Sequence, residues 1–98
     1  MISKELMSIV LNVNIRYMSD RYDNNLVPYE TDKWNTINIY ELTHKCKEWA
    51  LSKGHTFNVQ MSPDITLVYI GSIGKDIEAP TEPEATFLAC EWILKETI

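Results

Sequence analysis

The sequence predicts an α+β fold in which helices pack on one antiparallel sheet of three or four strands. Two segments, residues 38–53 and 81–96, each begin with a helix-capping signal and continue as an apolar stripe at helical spacing. Between them, residues 56–61 alternate apolar and polar side chains, and residues 65–71 are rich in β-formers. With two further strands near the N-terminus, the predicted order is α-β-β-α-β-β-α, in one domain over residues 1–98.

The N-terminal third predicts a short helix followed by a strand pair. Ser3 is suited to cap a helix over residues 3–11, whose apolar positions follow the helical period: Leu6, Ile9 and Val10. The period then changes to two, which predicts a strand over residues 12–18. A returning strand is predicted over residues 26–30, and Pro28 favours an edge or irregular position for it because proline cannot donate to a ladder.

The second helix has the clearest entry signal in the chain. Trp34 is expected in the connection that precedes it, and Asn38 is the predicted N-cap, with Glu41 three residues later. Gly54 follows the predicted end, where a left-handed residue commonly closes a helix. The apolar stripe that should face the core contains Ile39, Leu42, Cys46, Trp49 and Ala50.

The second half of the chain predicts a hairpin, a loop and a closing helix. Ser62-Pro63-Asp64 supplies turn residues between the strands 56–61 and 65–71, and the stretch from Gly71 to Thr81 is predicted to be loop. Thr81 and Glu84 form a second capping signal, and Pro83 suits the first turn of the helix. That helix, residues 81–96, should be heavily buried because its apolar positions form a wide stripe.

Composition and charge indicate which classes of function to favour. The 98 residues are 45% apolar and carry a net charge of -5, with the whole acidic excess in residues 54–98. An acidic surface disfavours binding to phosphate backbones and permits a basic protein partner. The two cysteines, the lack of a leader pattern and the shortness of the longest apolar run favour a protein of the reducing cytoplasm that does not enter a membrane.

Residues 37–96 resemble a group of small phage and prophage proteins described as a phage α/β sandwich domain. The likeness lies in Asn38-Ile39-Tyr40-Glu41-Leu42-Thr43-His44-Lys45-Cys46-Lys47-Glu48-Trp49-Ala50 and in Thr81-Glu82-Pro83-Glu84-Ala85-Thr86-Phe87-Leu88-Ala89-Cys90-Glu91-Trp92-Ile93-Leu94. These motifs are helix caps and core stripes, so the resemblance implies a fold, a mobile-element origin and residence in a bacterial cytoplasm. It implies no active site.

The chain carries little that predicts catalysis or a cofactor. His44, Cys46, His55 and Cys90 are the soft metal ligands, and His44 and Cys46 would point about 200° apart on a helix, so no metal is expected. Cys46 and Cys90 lie on apolar stripes and are expected to be structural, although a small enzyme that uses one of them remains a third possibility. Paired carboxylates such as Asp76 with Glu78 are expected to be solvated rather than catalytic.

Aromatic residues are concentrated before residue 41, which favours a protein-binding role. Tyr and Trp are the residues that most often anchor protein interfaces. The predicted partner-binding set combines four aromatic residues with two carboxylates of the acidic half: Tyr17, Tyr22, Tyr29, Trp34, Asp76 and Glu78. The prediction is therefore a non-enzymatic, cofactor-free protein that binds a host or phage protein stoichiometrically, as an inhibitor of a host defence complex.

Besides the cysteine-dependent enzyme, two further alternatives to this prediction remain open from the sequence. The first is a nucleic-acid-binding module that uses Lys45, Lys47 and Lys53 as a local basic patch. The second concerns self-association, because an edge strand near Leu26 and Val27 together with the aromatic group could support a homodimer.

Overall fold

The computed structural model describes residues 2–19 and 24–96 and contains three helices and six strands in the order α-βββ-α-βββ-α. The predicted α+β class is confirmed, as are the positions of the three helices. The elements are α1 (Lys4–Leu11), β1 (Tyr17–Met18), β2 (Leu26–Glu30), β3 (Trp34–Asn38), α2 (Ile39–Ser52), β4 (Phe57–Met61), β5 (Thr66–Ile70), β6 (Lys75–Ala79) and α3 (Glu82–Glu96).

The strands form two sheets rather than the predicted single sheet of three or four. The N-terminal sheet has the order β1-β2-β3 and the C-terminal sheet the order β4-β5-β6, and every pairing is antiparallel. Each predicted strand pair is present but gains a third strand. The two halves of the chain consequently share the element order βββα after α1, which the sequence does not show as a repeat.

Two strands were not predicted because their sequences lack an apolar period. β3 was expected to be a connection, yet it pairs with β2 along its whole length, and only Ile37 of its five side chains is buried. β6 was expected to be a loop, yet it pairs with β5 and buries only Ala79, with Ile77 half-buried. Edge strands that bury one or two side chains leave a weak hydrophobic signal.

The predicted strand over residues 12–18 is much shorter in the structure. Asn12 adopts the left-handed conformation, with φ of 55°, and closes α1, so that only Tyr17–Met18 pairs with β2. The prediction of an edge or irregular position for residues 26–30 is wrong, since β2 is the central strand and pairs with β3 in regular register. Pro28 is tolerated there because its nitrogen faces the side where β1 ends, and its carbonyl still accepts from the Ser19 N–H at 3.4 Å.

All three helices begin at the predicted capping residues. The Ser3 hydroxyl accepts from the Leu6 N–H at 3.1 Å. The Asn38 side chain accepts from the Tyr40 N–H at 2.8 Å, so the last residue of β3 caps α2 without any intervening loop. The Thr81 hydroxyl lies 3.4 Å from the Glu84 N–H at the start of α3.

One hydrophobic core joins the helices to both sheets. α2 packs along α3, α3 covers the inner side of β5 and β6, and α1 rests against both longer helices. The largest fully buried side chains come from all three helices and both sheets: Phe87, Leu6, Met7, Leu42, Ile70, Ile93, Val27 and Val68. No described helix is both long enough and apolar enough to cross a bilayer.

The molecule is a thin plate, and this shape determines which surfaces remain open. Its principal extents are 39 × 32 × 17 Å. A thickness of 17 Å is close to that of one layer of helices on one layer of strands, since packed layers lie about 10 Å apart. Within the described chain, therefore, each sheet is covered on one face and open on the other.

Candidate functional site

The open face of the N-terminal sheet is the candidate site. Side chains alternate between the faces of a strand, so the residues of β2 and β3 separate into two sets. Val27 and Ile37, which are paired across the two strands, point into the core with at most 8% of their surface exposed. The other set points to solvent and includes Tyr17 at 58% exposure and Trp34 at 55%. Both aromatic residues were predicted to bind a partner.

Tyr17 and Trp34 form an aromatic pair that bridges the sheet. In the strand register Tyr17 lies opposite Glu30, and Glu30 lies opposite Trp34, so the three residues form one row across β1, β2 and β3. The two rings meet edge to face, with centroids 5.7 Å apart and planes at 83°. Such a contact orients both rings while most of their surface stays exposed. The pair is thus a preformed feature of the surface.

The surroundings of the aromatic pair are nearly uncharged. We define the N-terminal sheet face as the solvent-facing residues of β1, β2 and β3, and Glu30 is its one charged member among the described residues. Leu26, with 39% of its surface exposed, and the half-buried Pro28 continue the apolar surface along β2, and Thr36 lies beside them on β3. The members are Tyr17, Leu26, Pro28, Glu30, Trp34, Thr36 and Asn38.

The other predicted partner-binding residues do not join this face. Tyr29 lies on the opposite side of β2, half-buried against the core. Tyr22 lies outside the described residues. Asp76 and Glu78 are exposed on the open face of the C-terminal sheet, where they lie opposite Tyr69 and Leu67 of β5. The predicted set therefore divides into an aromatic pair and a separate acidic pair.

Sequence reasoning missed Leu26, Pro28 and Thr36 as members of the face. Their assignment depends on the register between β2 and β3, and β3 itself was not predicted. Strand alternation places Thr36 on the same face as Trp34. Because Trp34 lies opposite Glu30, it also places the side chains at residues 26, 28 and 30 on that face. The signal was present once the strand was known.

The two cysteines have the environment of structural thiols. Cys46 and Cys90 are free and fully buried where α2 meets α3, and the Cys90 thiol donates to the Cys46 carbonyl at 3.5 Å. A side-chain hydrogen bond between the Cys90 and Cys46 thiols, together with burial, raises the pKa of the Cys46 thiol far above its ordinary range. A raised thiol pKa disfavours the thiolate, which is the nucleophilic form.

The three lysines of the predicted basic patch do not act as a single surface. Lys47 forms an ion pair with Glu82 at the start of α3, so its charge is already neutralised within the protein. Lys45 and Lys47 are two residues apart on α2 and project about 200° apart around the helix axis. Lys53 lies beyond the last helical residue and is exposed.

Other polar groups form no cluster that points to catalysis or to a metal. Within residues 2–19 and 24–96, no three side chains among His, Cys, Asp and Glu come together as metal ligands would. The His55 Nδ1 lies 2.6 Å from the Ser72 hydroxyl, in an exposed position.

Comparisons of the chain with known protein families, with curated proteins and with solved structures find no match.

Proposed function

We propose that the protein acts by binding a protein partner stoichiometrically through the N-terminal sheet face. The observation that supports this most is the exposed Tyr17–Trp34 pair on an uncovered sheet. Burial of such rings supplies much of the free energy of typical protein interfaces, and orientation by mutual contact lowers the entropy lost on binding. The free protein thus already has exposed rings that a partner can bury and a contact that orients them, as an interface hot spot requires.

The geometry of the face suits a protein surface better than a small ligand or a nucleic acid. Small-molecule sites are concave, whereas this face is one side of a three-stranded sheet. Nucleic-acid surfaces need exposed cations, and the described part of this face has none, while Glu30 lies between Tyr17 and Trp34 in the strand register. A nearly uncharged sheet surface with two exposed rings matches the core of a protein interface, where charged residues are depleted and aromatic residues are enriched.

We assign a second role to the acidic half of the chain. Asp76 and Glu78 are exposed on β6, and the excess negative charge of the molecule lies in residues 54–98. A charge distribution of this kind speeds the encounter with a basic partner and rejects acidic ones, even where the carboxylates are not in the contact itself. The partner we propose therefore has a basic surface with an apolar centre.

The resemblance to phage and prophage proteins supplies the biological setting of the proposal. On this basis we propose a bacterial cytoplasm as the setting and a host or phage protein as the partner. In its most specific form, the proposal is that this partner belongs to a host defence complex and that binding inhibits it. An inhibitor of this kind needs a stable fold and one complementary surface, and it needs no catalytic group.

Affinity capture from bacterial lysate tests this function. The wild-type protein is compared with a Tyr17→Thr/Trp34→Thr variant, because threonine favours strands and removes both rings. Tyr40→Ala is the matched control, since Tyr40 is 60% exposed on α2 and lies outside the face. We expect a protein captured in a fixed ratio by the wild type and by Tyr40→Ala, in nuclease-treated lysate, and lost with the double variant.

Three results would count against the proposal. Equal capture by the double variant would show that the face is not the binding surface. Capture that disappears on nuclease treatment would favour the nucleic-acid alternative, with Lys45, Lys47 and Lys53 as the next residues to change. If the double variant loses its native circular dichroism, the single variants Tyr17→Thr and Trp34→Thr are tested in its place. Full capture by both single variants would equally exclude the face as the binding surface.

A further inference from the structure

β4 is an edge strand of unusual composition, and its outer side is unpaired within the described residues. β4 is the first strand of the C-terminal sheet, and β5 covers only one of its sides. The Thr56 carbonyl accepts from the Gly71 N–H and the Ser62 N–H donates to the Ile65 carbonyl, which sets the alternation of the ladder. The backbone groups of the intervening residues Phe57, Val59 and Met61 therefore point away from β5 and find no partner in the described chain.

Nothing in the β4 sequence protects this edge from pairing. Proteins usually blunt an edge strand with charged residues, a proline or a bulge. The other edge of the same sheet follows this rule, because β6 carries Lys75, Asp76 and Glu78. β4 has the sequence Phe-Asn-Val-Gln-Met, contains no charge, and pairs in regular register over all five residues.

An apolar groove runs beside the same edge on the side that faces the helices. It has a volume of about 270 Å³ and is lined in part by Leu51, Phe57 and Val59. Leu51, on the last turn of α2, is 63% exposed, and Met61 at the end of β4 is 70% exposed. The helices thus cover β5 and β6 but leave the apolar side chains of β4 partly open to solvent.

We propose that β4 pairs antiparallel with β4 of a second copy, so that the two C-terminal sheets join into one six-stranded sheet. A two-fold axis at Val59 sets Val59 against Val59 of the second copy, and Phe57 against its Met61. In this register every outward-facing backbone group of Phe57, Val59 and Met61 meets its own complement. The apolar side chains of both strands then form one continuous row on the helix side.

The same register makes the opposite side of the strand self-complementary. Asn58 of each copy lies opposite Gln60 of the other, in the narrow type of strand pair in which side chains are closest. Each copy carries a net charge of -5, so most surfaces of two copies repel one another. β4 is neutral and pairs amide with amide, which favours a second copy over a charged foreign strand.

The expected dimer is weak because the contact is small. A five-residue strand pair with a flanking groove contributes less area than a standard interface, which buries roughly 800 Å² on each partner. We therefore expect a dissociation constant on the order of 10 µM. This dimer uses the C-terminal sheet, so it replaces the homodimer that the sequence suggested near Leu26 and Val27, which lie in a central strand.

Sedimentation equilibrium of the full chain over a range of concentrations tests the pairing. We expect reversible dimerisation for the wild type. The Asn58→Lys/Gln60→Lys variant sets two pairs of like charges in the narrow positions and should weaken dimerisation at least about tenfold, since like charges across an interface are strongly unfavourable. The matched control Asn58→Glu/Gln60→Lys sets opposite charges in the same positions and should dimerise at least as well as the wild type.

Each contrary result overturns the proposal in a recognisable way. A chain that stays monomeric at all concentrations has no such interface. A dimer that is equally stable in the Asn58→Lys/Gln60→Lys variant uses another surface, and a dimer lost in the opposite-charge control is not antiparallel in this register. The Tyr17→Thr/Trp34→Thr variant should still dimerise, so that failure of this pairing and failure of the proposed function give different results.

Discussion

The contact between Ser3 and Glu91 predicts a measurable loss of stability when one charge is removed. The Ser3 N–H and hydroxyl both donate to the same Glu91 carboxylate oxygen, at 3.2 and 2.6 Å, and join the start of α1 to the middle of α3. A hydrogen bond to a charged group contributes about 1.5–3 kcal/mol. Because both residues are half-buried and Gln retains one acceptor, we expect Glu91→Gln to cost about 1.5 kcal/mol in total.

Urea denaturation followed by circular dichroism measures this loss, and a double-mutant cycle isolates it. In a chain of this length, about 1.5 kcal/mol corresponds to a fall in melting temperature of roughly 6–12 °C. Ser3→Ala also removes the cap on Leu6, so it should cost more than Glu91→Gln alone. Glu96→Gln is the control, since Glu96 is exposed at the end of the same helix. The reasoning is refuted if Glu91→Gln is as stable as the control, or if the Ser3 and Glu91 substitutions are additive.

The remaining predictions concern buried groups and the pairing of the two long helices. Because Cys46 and Cys90 are buried and the pKa of Cys46 is raised, neither thiol should react with a maleimide in the native protein, and both should react in urea. Labelling of the native protein would instead favour the cysteine-dependent enzyme. Above about pH 8.5 the unfolded chain releases a Cys46 proton that the folded chain retains. Stability should therefore fall by about 1 kcal/mol between roughly pH 8.5 and 9.5 on account of Cys46, and Cys46→Ala should make the fall smaller. Lys47→Met should cost at most about 1 kcal/mol through loss of the ion pair to Glu82, whereas the exposed Lys53→Met should leave stability unchanged.

The helices could be predicted because their signals are local. Ser3, Asn38 and Thr81 each act on a backbone group two or three residues away, so their roles are visible in the sequence. The apolar stripes of α2 and α3 are likewise local, and they identified Cys46 and Cys90 as core residues. What they could not show is that the Cys90 thiol would meet the Cys46 carbonyl, since that contact joins residues 44 positions apart.

The third strand of each sheet could not be predicted because its stability comes from its neighbour. β3 and β6 form five-residue ladders with β2 and β5, yet each buries a single side chain. Backbone pairing of this kind leaves almost no hydrophobic pattern. The arrangement of the predicted binding residues could not be predicted for the same reason. Only the register across β2 shows that Tyr17 and Trp34 meet while Tyr29 points into the core.

The role of the N-terminal sheet face is tested most directly by crosslinking in bacterial cells. A photoreactive amino acid is placed at Thr36, which is exposed on the face, and for comparison at Leu88, which is 47% exposed on α3. If the face binds a protein partner, light should produce one discrete adduct from position 36, identified by mass spectrometry, and none of that mass from position 88. No adduct at position 36, or the same adduct from both positions, would contradict the proposed function.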